Sequence, residues 1–490
     1  MNKDTPQFLI PAPIKGIQLS GYFNGATDVR NIDNKSIPGL AILSLATAKK
    51  SGTTITDKPL WAVANNDANV TVYVLGDTGK VWKANDSTSY ATWTQVTGNT
   101  TTNAHGNGLA IWNGYLIVAR DTALDAFDFS STWTNAFATL VSDTSYHPML
   151  ASVDDKLYIG AGRYVSSLVA VGTFNPASGA TFTFTSAAVT LPFSFKIKCL
   201  EELGANLLAG TWVGSSETHK VKIGKIFTYN RSSLTLGIPI DLKESGINQM
   251  LTVNNQVFVQ AGISGKWFVT DGSYFKFLTK IPENLRNLSA TSALPGAICQ
   301  YKNRILSGIT IYGSFYAGSG VWSFNLDGSG IAMENSISAT NGTDGNTIIG
   351  CVLPVDNSST NEDYIIGWYS GTDTAQGVDL VGEDNFTTSY SAYFDSEWFN
   401  IGTTLQKKQT TTIEFYFEKV LASNEGIKLS YRTSSASSFT VYDTYGFSTD
   451  GVGATTTFQK NFAVSAEQLQ VRLSLTGTTT SPKFKYAIIR

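Results

Sequence analysis

Gly108-Leu-Ala-Ile-Trp112, Asn113-Gly114 and Tyr115-Leu-Ile-Val-Ala119 are two short apolar runs joined by a two-residue polar turn. Asn-Gly between apolar runs is hairpin chemistry, because a type I′ turn needs positive φ at both central positions. The unit recurs. Met149-Leu-Ala-Ser-Val153, Asp154-Asp155 and Lys156-Leu-Tyr-Ile-Gly160 form a second copy. Ile197-Lys-Cys-Leu200, a turn at Gly204-Ala-Asn206 and Leu207-Leu-Ala-Gly210 form a third. Two more are Met250-Leu-Thr-Val253, Asn254-Asn255, Gln256-Val-Phe-Val-Gln260 and Ala297-Ile-Cys-Gln-Tyr301, Lys302-Asn303, Arg304-Ile-Leu-Ser-Gly308. The turn centres lie near 113, 154, 205, 254 and 302, a spacing of 41, 51, 49 and 48 residues. That is the length of one four-stranded propeller blade.

A third strand with aromatics follows each hairpin, at Ala126-Phe127, Lys225-Ile-Phe227, Lys266-Trp-Phe268 and Val321-Trp-Ser-Phe324. Asp128, Asn230, Asp271 and Asn325 come next. With less regular copies at Leu60–Asn99 and Ile348–Trp398, the unit starts fall near 60, 104, 146, 195, 244, 293 and 348, which predicts seven blades. Six or eight remain compatible with the spacing. Beyond Phe399 the pattern becomes period-2 alternation, as in Thr410-Thr-Thr-Ile-Glu-Phe-Tyr-Phe417, Ile427-Lys-Leu-Ser-Tyr-Arg432 and Leu469-Gln-Val-Arg-Leu-Ser-Leu475. Such strands bury one face each and predict a β-sandwich or jelly roll. The expected fold class is therefore all-β, with an extended arm over 1–56, a β-propeller over 57–398 and a sandwich over 399–490. The arm, with Pro6, Pro11 and Pro13 and the apolar patches Phe8-Leu-Ile10 and Ile17-Gln-Leu19, is expected to dock as a strand. Its two candidate places are the last blade and a neighbouring subunit.

Composition agrees. Aromatics reach 12% while 35 Lys+Arg and 38 Asp+Glu make only 15% of the 490 residues, against a usual ~25%. This is the reverse of a disordered chain. A net charge of −3 supplies no overall attraction to nucleic acid or anionic membrane. No run of about 18 apolar residues occurs, so no membrane-spanning helix is expected. The start of the chain, Met1 to Leu9, lacks the pattern of a signal peptide. Three cysteines, Cys199, Cys299 and Cys351, make no disulfide framework or zinc pattern and read as small buried hydrophobes of the innermost strands. N-x-S/T triplets at Asn99, Asn287, Asn341 and Asn385 are expected by chance in a chain this rich in Ser, Thr and Asn.

No catalytic, cofactor or metal residue is assigned. Of three histidines, His105 and His219 sit in polar loops, and none of the three, His147 included, lies in a G-x-S-x-G context. Asn65–Asn69, Asp356–Asp363 and Asn325-Leu-Asp-Gly328 are oxygen-rich but lack the full calcium-loop pattern. Asp77-Thr-Gly-Lys-Val-Trp82 is close to the Asp box of sialidase-like propellers, with Leu75 where Ser or Thr belongs. That hairpin is structural. A glycosidase needs two facing carboxyls. Asp154, Asp155, Glu201 and Glu202 are the candidates, in or beside hairpin turns. Trp112, Trp133, Trp212, Trp267, Trp322 and Trp368 fall mostly in repeat strands and read as core rather than sugar platforms.

Ser391-Ala-Tyr-Phe-Asp-Ser-Glu-Trp-Phe-Asn-Ile-Gly402, Lys407-Lys408, Ile413-Glu-Phe415, Ile427 to Arg432, and Leu469 to Leu475 before Ser481-Pro482 resemble structural proteins of tailed-bacteriophage tails. In those, a propeller closes on a "wf.lG" strand and a sandwich with "iklsYR" and "lqlRl.L" strands follows. The resemblance covers about 100 residues. It implies a non-enzymatic virion component of the hub, nozzle or tail-tip kind, assembled in the host cytoplasm. Its partners would be copies of itself in a ring and neighbouring tail proteins, with DNA passing nearby. The alternative is a glycan-binding receptor-recognition protein or glycosidase on a propeller scaffold.

Overall fold

The computed structural model describes residues 7–13, 28–35, 40–51, 54–66, 69–98, 105–141, 146–213, 223–281, 290–312, 319–338, 347–356, 362–371, 374–386, 391–403, 407–449 and 452–490. Among them the only helical turns are three short 3-10 segments, and no helix is long and apolar enough to cross a membrane. The protein is all-β. Its chain contacts divide it into two compact units, 48–320 with 337–381, and 1–47 with 321–336 and 382–490.

The first unit is a β-propeller. Five antiparallel four-stranded sheets succeed one another over Pro59–Gln95, Gly106–Thr139, Met149–Thr190, Phe195–Leu242 and Ile247–Lys280, each in simple up-and-down order. A hairpin of Ile298–Tyr301 and Arg304–Ile311 comes next, then the strands Thr347–Asp356, Glu362–Ser370 and Gln376–Phe386. The first strands of these sheets lie one against the next in chain order, and Thr347–Asp356 lies against Pro59–Asn65. The ring is closed.

Five of the interfaces between neighbouring sheets each have an apolar core, as expected where both faces of a sheet are covered. Tyr73, Leu75, Val81 and Val96 of the first sheet pack on Leu109, Leu116, Val118 and Phe127 of the second. Trp112, Ile117 and Ala126 pack on Leu157, Ile159 and Leu168 of the third. Closure is made by Val72, Val74, Trp82 and Trp93 against Val355, Ile365, Val378 and Leu380. Cys199, Cys299 and Cys351 lie in the innermost strands and are buried, and burial pushes the Cys199 and Cys351 thiols up to about 12. The third strands end in side-chain-capped turns. Asp128 accepts from the amides of Ser130, Ser131 and Thr132, Asn230 from those of Ser232 and Ser233, and Asp271 from that of Ser273.

A β-bulge recurs near the start of the innermost strands. Pairing skips one residue between Pro59 and Trp61, Gly106 and Gly108, Ile197 and Cys199, Ile247 and Gln249, and Ile349 and Cys351. The extra residues are Leu60, Asn107, Lys198, Asn248 and Gly350, and a bulge frees them to reach the neighbouring sheet. His147, just before its own first strand, donates its amide to the Asn107 carbonyl at 2.7 Å. Its ring lies between the carbonyls of Gly160, 3.0 Å from Nδ1, and Asp121 at Nε2. A neutral imidazole can donate to one of these; the imidazolium satisfies both. Lys198 Nζ donates to Asn248 Oδ1 at 3.2 Å, and Asn248 Nδ2 donates to the Gly262 carbonyl at 2.8 Å. Backbones approach so closely here that a Cβ on Gly108 would overlap the His147 carbonyl.

In the second unit Phe8–Pro11, Phe484–Ile489, Thr412–Phe417 and Thr457–Asn461 form one antiparallel sheet in that order. Ala332–Asn335, Asp28–Arg30, Ala392–Asp395, Gln468–Thr476, Gly426–Arg432 and Thr440–Gly446 form the other, with Arg30 and Met333 paired in parallel. Phe394 meets Phe484 at 5.3 Å and Phe415 meets Tyr445 at 5.7 Å between the two. The alternation read from the sequence is literal. Leu469, Val471, Leu473 and Leu475 are fully buried, each stabilising by about 2 kcal/mol.

Three consecutive pieces, 1–56, 57–398 and 399–490, are therefore not how the chain divides, because strands far apart in sequence pair with one another. The apolar run of the arm is one such case. Phe8 lies opposite Ile489 and Ile10 opposite Ala487, with Phe8 against Phe399 at 5.2 Å. The run pairs with the C-terminal strand instead of the last propeller sheet. That sheet takes a later segment as its fourth strand, Leu45–Lys49, and the amides of Lys50 and Ser51 donate to Val378. Ile17-Gln-Leu19 lies outside the described residues.

His147→Ala removes a buried ring that staples two sheets through the carbonyls of Gly160 and Asp121, so it should cost about 3 kcal/mol. Urea unfolding followed by tryptophan fluorescence measures this. His147→Gln, which reaches one carbonyl, should fall between the two.

Candidate functional site

The carboxylates singled out from the sequence come together in part. Glu202 Oε2 accepts from Ser152 Oγ at 2.6 Å and from Arg231 at 2.9 Å. Arg231 also donates to Ser152 at 2.7 Å and to the Gly204 carbonyl at 2.6 Å, and Asp154 stands 3.7 Å away with Lys156 on its other side. The turns of the third and fourth sheets are thereby tied through one guanidinium. Asp155 is exposed in its turn with φ 60° and joins no such cluster. Burial pushes Glu201 up to about 7, opposed by hydrogen bonds from Thr252. Arg231 organises the group, and no motif marked it.

The Asp77 hairpin carries a second cluster. Asp57, before the first strand, accepts from the Thr78 amide at 3.1 Å and its hydroxyl at 2.8 Å. Its carboxyl lies where a Cβ on Gly76 would stand. Asp77 accepts from the Lys58 amide at 3.1 Å, with Lys58 Nζ 3.5 Å away. Burial, and the hydrogen bond to Asp77, raise Asp57 to about 7. Burial also pushes on Asp77, but the Asp57 proton and Lys58 outweigh it and hold that carboxyl below its usual range. The two carboxyls share one proton. Asp57 went unmarked because it lies twenty residues before its partner.

Other sequence candidates are dispersed. His105 is exposed, its Nδ1 2.8 Å from Asp121. Asn325 and Asp327 close an ordinary turn with Ser329. His219, residues 67–68 and 357–361, and the triplets at Asn99, Asn287 and Asn341 lie outside the described residues; Asn385 is in the strand Gln376–Phe386. Among the described residues no three His, Cys, Asp or Glu side chains are grouped to hold a metal. Trp112, Trp267, Trp322 and Trp368 are buried, and Trp133 and Trp212 are partly exposed.

The stretches that carry the family resemblance share one network in the second unit. Arg472 makes a two-pronged pair with Asp395 at 2.6 and 2.8 Å, its guanidinium 3.7 Å from the Tyr393 ring centre and 4.1 Å from that of Phe439. Arg432 lies 4.6 Å from Phe439 and 5.4 Å from Trp398, and donates to Gln470 at 2.7 Å. Tyr393 donates to Asp28, which also holds Arg30 at 3.0 Å. Cations and rings alternate across the strands, each ring face meeting a guanidinium. Burial lifts Asp395 to about 6 despite Arg472. In "YFDSEW", "SYR" and "VRL" the alternating partners of the core positions are what build the ladder.

No family model and no curated protein matches the sequence. Among solved structures the chain is similar to the β-propeller domain of Cps50 (Swd1) from Myceliophthora thermophila, at 8% identity and TM-score 0.46 over 67% of this chain and 97% of that one. It is also similar to the computationally designed Ika8 protein, at 11% identity and TM-score 0.41 over 69% and 91%. The propeller assignment rests on the ring of strands itself.

Asp57 keeps its proton to about pH 7 in the folded chain, whereas a free aspartate releases it near 3.8. The folded state holds the extra proton in that window, so this contribution is full below it and fades as pH rises through it. Asp57→Asn should flatten stability against pH between about 4 and 7, by up to about 1.4 kcal/mol per pH unit. Denaturation midpoints across that range check it; parallel curves would refute the shared proton. In the second unit, Arg472→Met strands buried Asp395 and should cost about 3–4 kcal/mol, with much of the loss regained in Arg472→Met/Asp395→Leu. Thermal unfolding of both variants measures the coupling.

Proposed function

We propose that this chain is a structural subunit of a bacteriophage tail, a β-propeller scaffold of seven blades in a hub, nozzle or tail-tip position. The observation that carries the reading is the ladder of Tyr393, Asp395, Trp398, Arg432 and Arg472, because the three resembling stretches supply its members jointly. Three short motifs that depend on one another are better support than three taken singly. Low charge and buried, unreactive thiols suit a particle component. The role is non-catalytic, and the protein works among copies of itself and neighbouring tail proteins, with DNA passing along a wall that avoids net positive charge. A ring of identical subunits closes through heterologous contacts. Among the described strands Phe8–Pro11 stands at the edge of its sheet, with Leu9 exposed, and offers that edge for such a contact.

Mass spectrometry of purified particles of the virus whose genome carries the gene tests this reading. The chain should be present in a fixed copy number with the tail proteins and lost with them in tailless mutants. Its absence from particles, or release of reducing ends from bacterial polysaccharide by the purified protein, would overturn it.

A further inference from the structure

Between the first two propeller sheets the apolar interface opens into a cleft of about 280 Å³. Its floor is one face of the first sheet. Tyr73 lies opposite Lys83 and Lys83 opposite Thr94, while Thr71 lies opposite Asn85 in the adjoining row. Inward along the same face stand Leu75, Val81 and Val96, packed against the second sheet. Side chains of one face thus pass from core to polar within two residues. Thr88 and Thr92 complete one wall and Phe129 of the second sheet the other.

The next interface shows what packing alone would place there. By strand position Thr71 corresponds to Tyr115 and Lys83 to Ala126. Tyr115 meets Phe174 at 5.3 Å, Phe174 is 4% exposed, and Phe137 and Phe182 close round it. That interface is filled. The first is left open and lined with hydroxyls, an amide and an ammonium. Local departure from packing of this kind points to function rather than folding.

The cleft is also built rigidly. Phe129 holds φ at 64°, a costly conformation for a bulky residue, because three consecutive amides bind the Asp128 carboxylate beside it. Its ring is fixed 5.4 Å from that of Tyr73. Between the lining residues Thr88 and Thr92 the chain turns through Ser89 and Tyr90, with φ at 47° and 55°. A bulky residue held in this conformation at the rim of an opening is a pre-organised wall. An apolar ring, several hydroxyl and amide partners and one lysine suit a sugar ring, whose faces are apolar and whose edge carries hydroxyls. The volume is at the small end of ligand pockets, matching one or two sugar units.

We propose that this cleft binds a saccharide unit bearing a carboxylate, with Phe129 as the stacking wall, Thr71, Asn85 and Thr94 as hydroxyl partners and Lys83 as the counter-charge. This stands apart from the tail reading, and either can fail alone.

The test is titration of the full-length protein with D-glucuronate, D-glucose, a uronate oligosaccharide and acetate, read by ligand-observed NMR and calorimetry. Glucuronate should bind saturably, at least about tenfold more tightly than glucose or acetate, and the oligosaccharide at least as well as glucuronate. Lys83→Gln should remove the preference for glucuronate over glucose while leaving the melting temperature unchanged. Thr71→Tyr, which copies the filled interface, should abolish binding to both sugars. Equal binding of glucose and glucuronate would overturn the role of Lys83, and equal binding of acetate would overturn a saccharide site. Absence of saturation, or binding that survives Thr71→Tyr in a protein with an unchanged melting temperature, would overturn the cleft as the location.

Discussion

A radial sheet has two apolar faces and an inner edge, and none of these can be left in water, so the propeller unit depends on the ring being closed. Closure is made by Val72, Val74, Trp82 and Trp93 meeting Val355, Ile365, Val378 and Leu380, the same kind of contact that joins the first five sheets to one another. What differs from sheet to sheet is the extra residue at the start of the inner strand. A plain strand would present its side chains only to the two neighbouring faces. The bulge turns one more residue aside, and Asn107 and Lys198 use it to bind across to the next sheet, where Lys198 meets Asn248, itself a bulge residue. Apolar packing is tolerant of small slips, and directional hydrogen bonds at a common height are not. Between the second and third sheets and between the fourth and fifth, the bulge contacts therefore set the register that the hydrophobic cores only hold together.

The hairpins were legible because their chemistry is local. Asn113 and Gly114 hold φ at 47° and 78°, and Asn254 and Asn255 at 50° and 59°, values that these residue types adopt with little strain. Asp128, Asn230 and Asp271 were visible as punctuation after an aromatic strand and do close turns. The bulges were not legible, since one added residue in a seven-residue apolar run leaves no gap in the pattern. Nor was the second unit's make-up. Phe8 and Ile489 pair across almost the whole chain, and Arg30 meets Met333 in a parallel bridge. Periodicity says which face of a strand is buried and nothing about which strand lies beside it.

Charged side chains show the same limit. Glu202 and Asp154 could be marked as acidic residues near turns, but their neighbour Arg231 arrives from the end of a third strand and only the fold brings it near. Asp57 and Asp77 meet because a strand and its return bring residues twenty apart to one end of the sheet. The ladder in the second unit draws on Asp28, Tyr393, Arg432 and Arg472 from four strands. In sequence these are single polar letters in alternating strands, ordinary for a solvent-facing side. Alternation makes a face polar; register decides whether its polar groups become partners.

A chain with so few charges uses several of them inside, and their positions have a common logic. Arg120 and Asp125 are almost wholly buried 3.3 Å apart, and Asp125 also accepts the Ala136 amide at 2.6 Å. Ala136 sits where the fourth strand of its sheet slips register, with φ at 51°. In the next sheet Ser166 accepts from Ala187, again at a register slip and again with φ at 52°. In the last sheet Asp379 accepts from the Ser338 amide and hydroxyl and from Trp368 Nε1. The outer strand of a propeller sheet must bend away from its neighbour as the ring widens, and a bend frees an amide that the ladder no longer satisfies. A buried carboxylate or hydroxyl on the third strand takes that amide. A buried ion pair is poor value as a stabiliser in itself, but an orphaned buried amide costs about 1–3 kcal/mol. In the second and third sheets the interior polar residues thus let the outer strand bend without leaving its backbone amide unpaired.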